Sequence, residues 1–402
     1  MTFRLSPTYL LNYFLRRKST QFFTSITIRS LALGMVLIFE PIYLYLYFGK
    51  SLSLTVLFFA VVHGLYALLV VYGGKIMAKI GLKQTMLFSH FFFIGYYICL
   101  FFIYQSFLLA PLAIILKVVG MTFFWPAFHT DFARFSESGY LGRQVGKMNI
   151  AFSLPTVISP IIGGAILSAA GYPALLIAVV VILFASSIPM FLSRETQVIY
   201  TDSYQKAWKR IFKKENKKNN LAFAVDAIET GINAYLWPLF MFILTIGYAA
   251  MGGIVTFALG VAALFTLYMG KISDKIINRV EFLNIGAFLT SIAWIIKYFV
   301  ITPFDAFLAH ILYGICRTSA SIPFQTFFYK KVSLKGADAD EFIIYREILA
   351  NLSRAFFFMI MAVIFFIIPQ INIAFIVAAV ISLGFMFLGV PPKFRPREFY
   401  GH

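Results

Sequence analysis

The chain has 402 residues, of which 61% are hydrophobic and only 12% charged, and it carries a formal net charge of +18. Soluble domains are about 25% charged and less than half apolar, so an ordinary soluble protein is excluded. The basic residues are scattered through short segments between apolar runs, which points to membrane topology rather than a nucleic-acid-binding face. The apolar runs are continuous rather than alternating, which argues against a β-barrel.

A hydrocarbon core of ~30 Å requires about 20 apolar residues per helix. Taken in order, such runs fall at 22–48, 53–73, 85–104, 107–128, 145–169, 173–192, 220–246, 249–269, 281–301, 304–326, 343–368 and 371–390. The expected fold is therefore an all-α polytopic membrane protein with twelve transmembrane helices in two six-helix bundles. Residues 1–192 form the N-terminal half, 193–219 a basic linker, and 220–402 the C-terminal half with a short tail. The first 20 residues, with Arg4, Arg16, Arg17 and Lys18, are too polar for a cleaved signal peptide.

Alternate joints between these runs differ sharply in charge. One set, which includes both ends and the linker, holds 28 of the 34 Lys and Arg, and the other set holds only Lys50. The positive-inside rule then places both termini and the linker in the cytoplasm, in a cytoplasmic (inner) membrane. The linker alone contributes eight cations, and its segment Tyr204–Phe212, with Trp208 and Phe212 one turn apart, is expected to form an amphipathic helix against membrane lipids.

The two halves repeat each other. Pro41 and Pro238 are offset by 197, as are Pro126 and Pro323, and the loops starting at Gly74 and Gly270 are offset by 196. Landmarks in register imply a parallel duplication of a six-helix unit, with a substrate path between the halves. The prolines permit kinks in helices that bend during gating.

These residues resemble the major facilitator superfamily over essentially the whole chain. The family's loop between spans 2 and 3, Gly-x-x-x-Asp-Arg/Lys-x-Gly-Arg/Lys-Arg/Lys, is kept here as Gly74, Lys79, Gly81 and Lys83, with Ala78 in place of the acid. The echo between spans 8 and 9 keeps Gly270, Asp274 and Lys275. The resemblance implies that these loops gate the cytoplasmic side, with Asp274 carrying the acid's role better than the N-terminal copy. Ser159-Pro160-Ile161-Ile162-Gly163-Gly164 in span 5 is similar to a Gly-Pro-x-x-Gly-Gly run of the family's exporters. Small residues such as Gly163 and Gly164 also allow close helix packing.

Charges inside spans are the main candidates for chemistry, because each costs several kcal/mol and faces an interior cavity more often than lipid. Glu40 in span 1 and Lys117 in span 4 resemble the acid and arginine of proton-coupled exporters, and Glu40 is the expected proton carrier. Asp226 and Glu229 in span 7 and Arg317 in span 10 are expected cavity charges. Asp226 is the repeat counterpart of Arg29, so a pair between the halves is one expectation. Lys297 is expected to snorkel outward. Trp125 and Trp237, each preceding a repeat-related proline, together with Asn233 and Tyr235, are expected to line the substrate cavity. His129 and Gln325 fall at cytoplasmic ends, where gate or loop roles are expected.

No cofactor is expected. Cys99 and Cys316 lie inside apolar runs, the five histidines are far apart, and no metal-ligand spacing occurs. Gly49-Lys50-Ser51 lacks the first glycine of a phosphate-binding loop. The expected function is that of a secondary transporter, not an enzyme. It would work as a monomer and move a small amphipathic or lipophilic molecule with protons, in the direction of export. A non-transporting scaffold or receptor of the same fold and a lipid translocator are the alternatives.

Overall fold

The computed structural model describes residues 18–387, apart from 138–140, 194, 274–278 and 334–337. Among the described residues there are helices and no strands. Span 1 is split into α1 (Lys18–Leu37) and α2 (Glu40–Tyr47), which meet at an angle of 41°. Pro41 sits in the first turn of α2, where its missing N–H costs nothing. Spans 2 to 4 are α3 (Leu52–Ile80), α4 (Leu82–Phe101) and α5 (Leu109–Glu137). Spans 5 and 6 run as α6 (Leu141–Leu192), which is broken at Gly171, where φ is +74°. That left-handed conformation suits glycine.

The linker contributes α7 (Tyr204–Phe212), the helix expected there. Span 7 comprises α8 (Lys217–Gly231), a π turn at Ile232–Leu236 and α9 (Trp237–Ile243), with Pro238 in the first turn of α9. Spans 8 to 11 are α10 (Tyr248–Ser273), α11 (Arg279–Tyr298), α12 (Pro303–Ser333) and α13 (Ala339–Ile367), and span 12 begins with α14 (Ile373–Ser382). Spans 1 and 7 are thus both interrupted just before their repeat-related prolines. Spans 7, 9, 10 and 12 do not qualify as membrane-crossing by length and apolarity alone. They are short, broken or charged, and their neighbours must complete them.

Span 1 packs on span 5, span 2 on span 11, and span 5 on span 8. The last two contacts join the halves. The small residues of span 5 allow this closeness. A Cβ on Gly163 would lie 1.9 Å from the Met35 carbonyl oxygen, and one on Gly164 2.5 Å from that of Tyr248. On span 8, a Cβ on Gly252 would lie 2.4 Å from the Pro160 carbonyl oxygen. Pro160 cannot donate to the Thr156 carbonyl, and the Ser159 hydroxyl donates to it instead at 3.2 Å. The Ile161 N–H bonds across the interface to Thr256 Oγ1 at 3.0 Å. Large side chains such as Phe107, Phe366 and Ile301 are left exposed on the outside of the bundle, where lipid would cover them.

The linker is tied to both halves. Glu195 accepts from the Lys83 and Gln84 N–H groups at the start of span 3, at 3.0 and 3.1 Å. Thr201 donates from both its N–H and its hydroxyl to Glu341 of span 11, at 2.9 and 2.8 Å. Buried Asp202 holds Lys206 at 2.7 Å and Arg210 at 2.5 Å. Burial works to raise its carboxyl, but the bonds from Arg210 and Lys206 outweigh that and hold it below the usual range.

The neighbouring glycines Gly252 and Gly253 give an internal control, since a Cβ on Gly253 meets nothing within 4 Å. Gly252→Ala should lower stability by about 1–3 kcal/mol through overpacking. Gly253→Ala should be neutral or slightly stabilising when both are compared by thermal unfolding in detergent.

Candidate functional site

Two groups of charges lie inside the bundle. The first belongs to the N-terminal half. The break before Glu40 turns its carboxylate toward span 4, where it forms a buried ion pair and hydrogen bond with Lys117. The ammonium of Lys117 also lies 5.3 Å from the ring centre of Phe59 and 4.9 Å from that of Tyr96. The two residues singled out from sequence are therefore partners, and aromatic faces enclose them.

The second group starts in the C-terminal half and crosses to the other. Glu229 is fully buried and accepts from Tyr313 Oη at 2.7 Å and Trp294 Nε1 at 3.0 Å. Its other oxygen faces Arg317 Nε at 2.6 Å, an ion contact without hydrogen-bond alignment. Arg317 Nη2 reaches Asp226 at 2.5 Å, and Asp226 faces Arg346 Nη2 at 3.8 Å. Arg346 Nη1 bonds Glu347 at 3.0 Å. Glu347 then meets the N-terminal half, accepting from Tyr66 Oη at 3.0 Å and lying 3.5 Å from His129 Nε2.

Near the bilayer middle, Asn351 Oδ1 is 2.8 Å from His63 Nδ1, and His63 Nε2 is 3.2 Å from Tyr235 Oη. Tyr235 stacks on Phe59 with ring centres 4.0 Å apart. At the end away from the linker, Tyr45 meets Phe242 and Phe39 meets Tyr248 edge to face. The halves thus touch at three levels, through polar contacts toward the linker end and aromatic ones toward the opposite end.

Several sequence expectations require correction. Lys297 does not snorkel. It is fully buried and donates to Asn233 Oδ1 at 3.0 Å, and the rings of Tyr313, Trp237 and Trp294 surround it with centres at 3.7, 4.2 and 4.3 Å. An amide oxygen and three π faces replace the headgroup region. Asn233 accordingly serves Lys297. Trp237 is 1% exposed and lies inside the C-terminal half, stacked on His310, rather than on the path between the halves. The π turn just before it shifts the helix face that points outward.

Arg29 and Asp226 are not partners. Asp226 is satisfied by Arg317 and Arg346, and the Arg29 guanidinium lies 3.4 Å from the Phe124 ring centre within its own half. Arg346, which sequence reading did not single out, lies inside α13 and in the charge network.

Other candidates fall as follows. Trp125 is partly exposed and stacks on His129, which places both beside the crossing charges. Gln325 is exposed. A Cβ on Gly74 would meet Ile344 of span 11 at 3.2 Å. One on Gly81, whose φ is +92°, would fall 2.2 Å from the Glu195 carboxylate. The linker therefore supplies an acid at the loop where Ala78 does not. Lys79 is exposed, and the Lys83 ammonium lies 5.5 Å from the Phe191 ring centre. Gly270 is near the end of α10, while Asp274 and Lys275 lie outside the described residues. Pro126 and Pro323 stand inside α5 and α12.

Sequence reading missed Glu347, Tyr66 and His63 as site residues. Tyr66 and Glu347 are 281 positions apart, and only the packing of span 2 on span 11 joins them. No metal-holding group of His, Cys, Asp or Glu occurs among the described residues.

A family model described as Major Facilitator Superfamily matches residues 8–339. Comparison with curated proteins finds no significant match. Among solved structures, the human organic anion transporter MFSD10 (TETRAN) superposes with a TM-score of 0.66 at 12% identity, over 93% of this chain and 99% of that one. A POT family transporter in complex with a thioalcohol-conjugated peptide gives 0.68 at 14% identity, over 92% and 94%. The Escherichia coli fucose:proton symporter FucP gives 0.61 at 14% identity, over 92% and 97%. At these identities the likeness concerns the fold, which is the twelve-helix arrangement in two six-helix bundles.

If the aromatic box holds Lys297, Lys297→Ala should cost about 2–5 kcal/mol, with Lys297→Met recovering part of it by filling the space. Thermal unfolding in detergent measures this, and a side chain reaching the headgroups would leave both variants near wild-type stability.

Proposed function

Because the chain belongs to the Major Facilitator Superfamily, we propose that it is a secondary active transporter that exports a small amphipathic or lipophilic molecule in exchange for protons. Membrane transport is the work of the family, and the chain is a multi-pass membrane protein. The proposal adds the coupling ion, the direction and the kind of cargo. It also places both termini and the linker in the cytoplasm, and it takes the functional unit to be a monomer in the cytoplasmic membrane.

The observation that carries the proposal is the buried pair of Glu40 and Lys117. Away from water, protonating Glu40 leaves the Lys117 charge facing Phe59 and Tyr96 without its partner. An uncompensated charge in that setting costs several kcal/mol, enough to shift an equilibrium between two arrangements of the helices. Lysine also gives up its own proton more readily than arginine when desolvated, which suits a proton-linked switch. Phe59 ties the pair to the contact between the halves, because it stacks on Tyr235 of the opposite half.

Aromatic side chains dominate that contact, which favours an amphipathic cargo over a sugar. The run Ser159–Gly164, resembling that of exporters, is built into the contacts of span 5 with spans 1 and 8 and supports export. The fucose:proton symporter among the similar structures shows the fold serving proton-linked transport.

Substrate flux in proteoliposomes under an imposed pH gradient tests the proposal. Wild-type protein should accumulate an amphipathic compound only when the gradient is present, and Glu40→Gln should abolish the gradient dependence. Coupled flux unchanged in Glu40→Gln would refute the role of the pair. Absence of gradient-dependent flux for any compound class would favour a scaffold, and gradient-independent movement of lipid a lipid translocator.

A further inference from the structure

Four carboxylates lie well inside the described membrane helices, and each has a cation. Glu40 has Lys117, Asp226 has Arg317 and Arg346, Glu229 has Arg317, and Glu347 has Arg346. Three interior cations have no carboxylate within 4 Å among the described residues: Arg29, Lys297 and Arg354. Two of them are enclosed within their own halves. Arg29 is 5% exposed and covered by Phe124 and Phe93, and Lys297 is 0% exposed inside its box of rings.

Arg354 is different. It stands at the middle of α13, the helix that packs on span 2 of the opposite half, and it is partly exposed. Its guanidinium donates only to neutral oxygens, to Ala227 O at 2.8 Å, Thr230 Oγ1 at 3.0 Å and Asn351 Oδ1 at 3.5 Å. Asn351 in turn meets His63 across the interface. The surroundings are aromatic, with Tyr235 stacked on Phe59 and 5.7 Å from Phe358. Neutral dipoles orient a guanidinium without neutralising it, and a charge left so at mid-membrane is costly. A carboxylate matches the fork of the guanidinium and forms the stronger, charge-assisted bond.

We propose that Arg354 anchors the carboxylate of the transported molecule when the halves part, with the aromatic body packing against the faces of Tyr235 and Phe59 that stack on each other in the closed interface. The cargo class is then an amphipathic aryl carboxylate. This specifies the cargo left open by the transport reading and rests on it.

Binding to the full-length protein in detergent, followed by calorimetry, tests the site with three probes of one shape: 2-naphthoate, 2-naphthamide and 2-naphthylmethylammonium. Naphthoate should bind about tenfold or more tightly than the other two. Arg354→Gln should remove that preference, and thermal unfolding in detergent reports whether the variant is folded. Arg354→Lys should keep part of the preference and serves if the glutamine variant does not fold. Equal binding of the three probes, no binding of any, or a naphthoate preference that survives Arg354→Gln would overturn the proposal. Flux separates the two readings. Gradient-driven movement of the ammonium but not the naphthoate would overturn the anion site and leave transport standing. Selective naphthoate binding with no flux would leave the site standing and remove the transport reading.

Discussion

A charge in the hydrocarbon core of a membrane must find a partner within the protein, and that constraint organises this structure. Glu40 and Lys117 satisfy it inside the N-terminal half. Glu229, Asp226 and Arg317 satisfy it inside the C-terminal half. Arg346 and Glu347 carry the chain of contacts to Tyr66 and His129 on the other side of the interface. The apolar packing of spans 2 and 11 and of spans 5 and 8 brings these groups within reach. Separating the halves would strip Glu347 of two of its neighbours, Tyr66 and His129.

The interface is built differently at its two ends. Outside, Tyr45, Phe242, Phe39 and Tyr248 meet through rings, and such contacts are insensitive to protons. Inside, Glu347, Arg346 and His129 meet through ionisable groups, and the linker adds Glu195 and Asp202 together with the Thr201–Glu341 bonds. Glu195 illustrates how the linker joins this arrangement. It caps the start of span 3 and occupies the space above Gly81, so an acid from the linker stands at the loop that carries Ala78.

Much of the fold was legible in the sequence, because span length and the 197-residue offset are one-dimensional signals. Even the interruptions of spans 1 and 7 were announced by Pro41 and Pro238. The pairing of Glu40 with Lys117 was legible only through resemblance. The errors share one physical cause, which is that the partner lay far away in the chain. Lys297 reads as a snorkelling lysine until Trp237, Trp294 and Tyr313 are seen around it. Arg346 stands at the start of the apolar run 343–368, and nothing local shows that Asp226 and Glu347 face it. Glu347 carries no local signal, and its importance comes from Tyr66, which no spacing rule connects to it.

The relation between the crossing charges and closure of the linker end of the bundle can be measured as a distance. Nitroxide labels introduced by Lys79→Cys at the end of span 2 and Asp338→Cys before span 11 sit on exposed positions of opposite halves, while Cys99 and Cys316 are buried. Pulsed dipolar spectroscopy on this pair in lipid nanodiscs should show one short distance with the Glu347 contacts intact. Adding Glu347→Ala should introduce a longer component as the helix ends near the linker separate. A distribution unchanged by Glu347→Ala would contradict the claim that these charges hold the halves together.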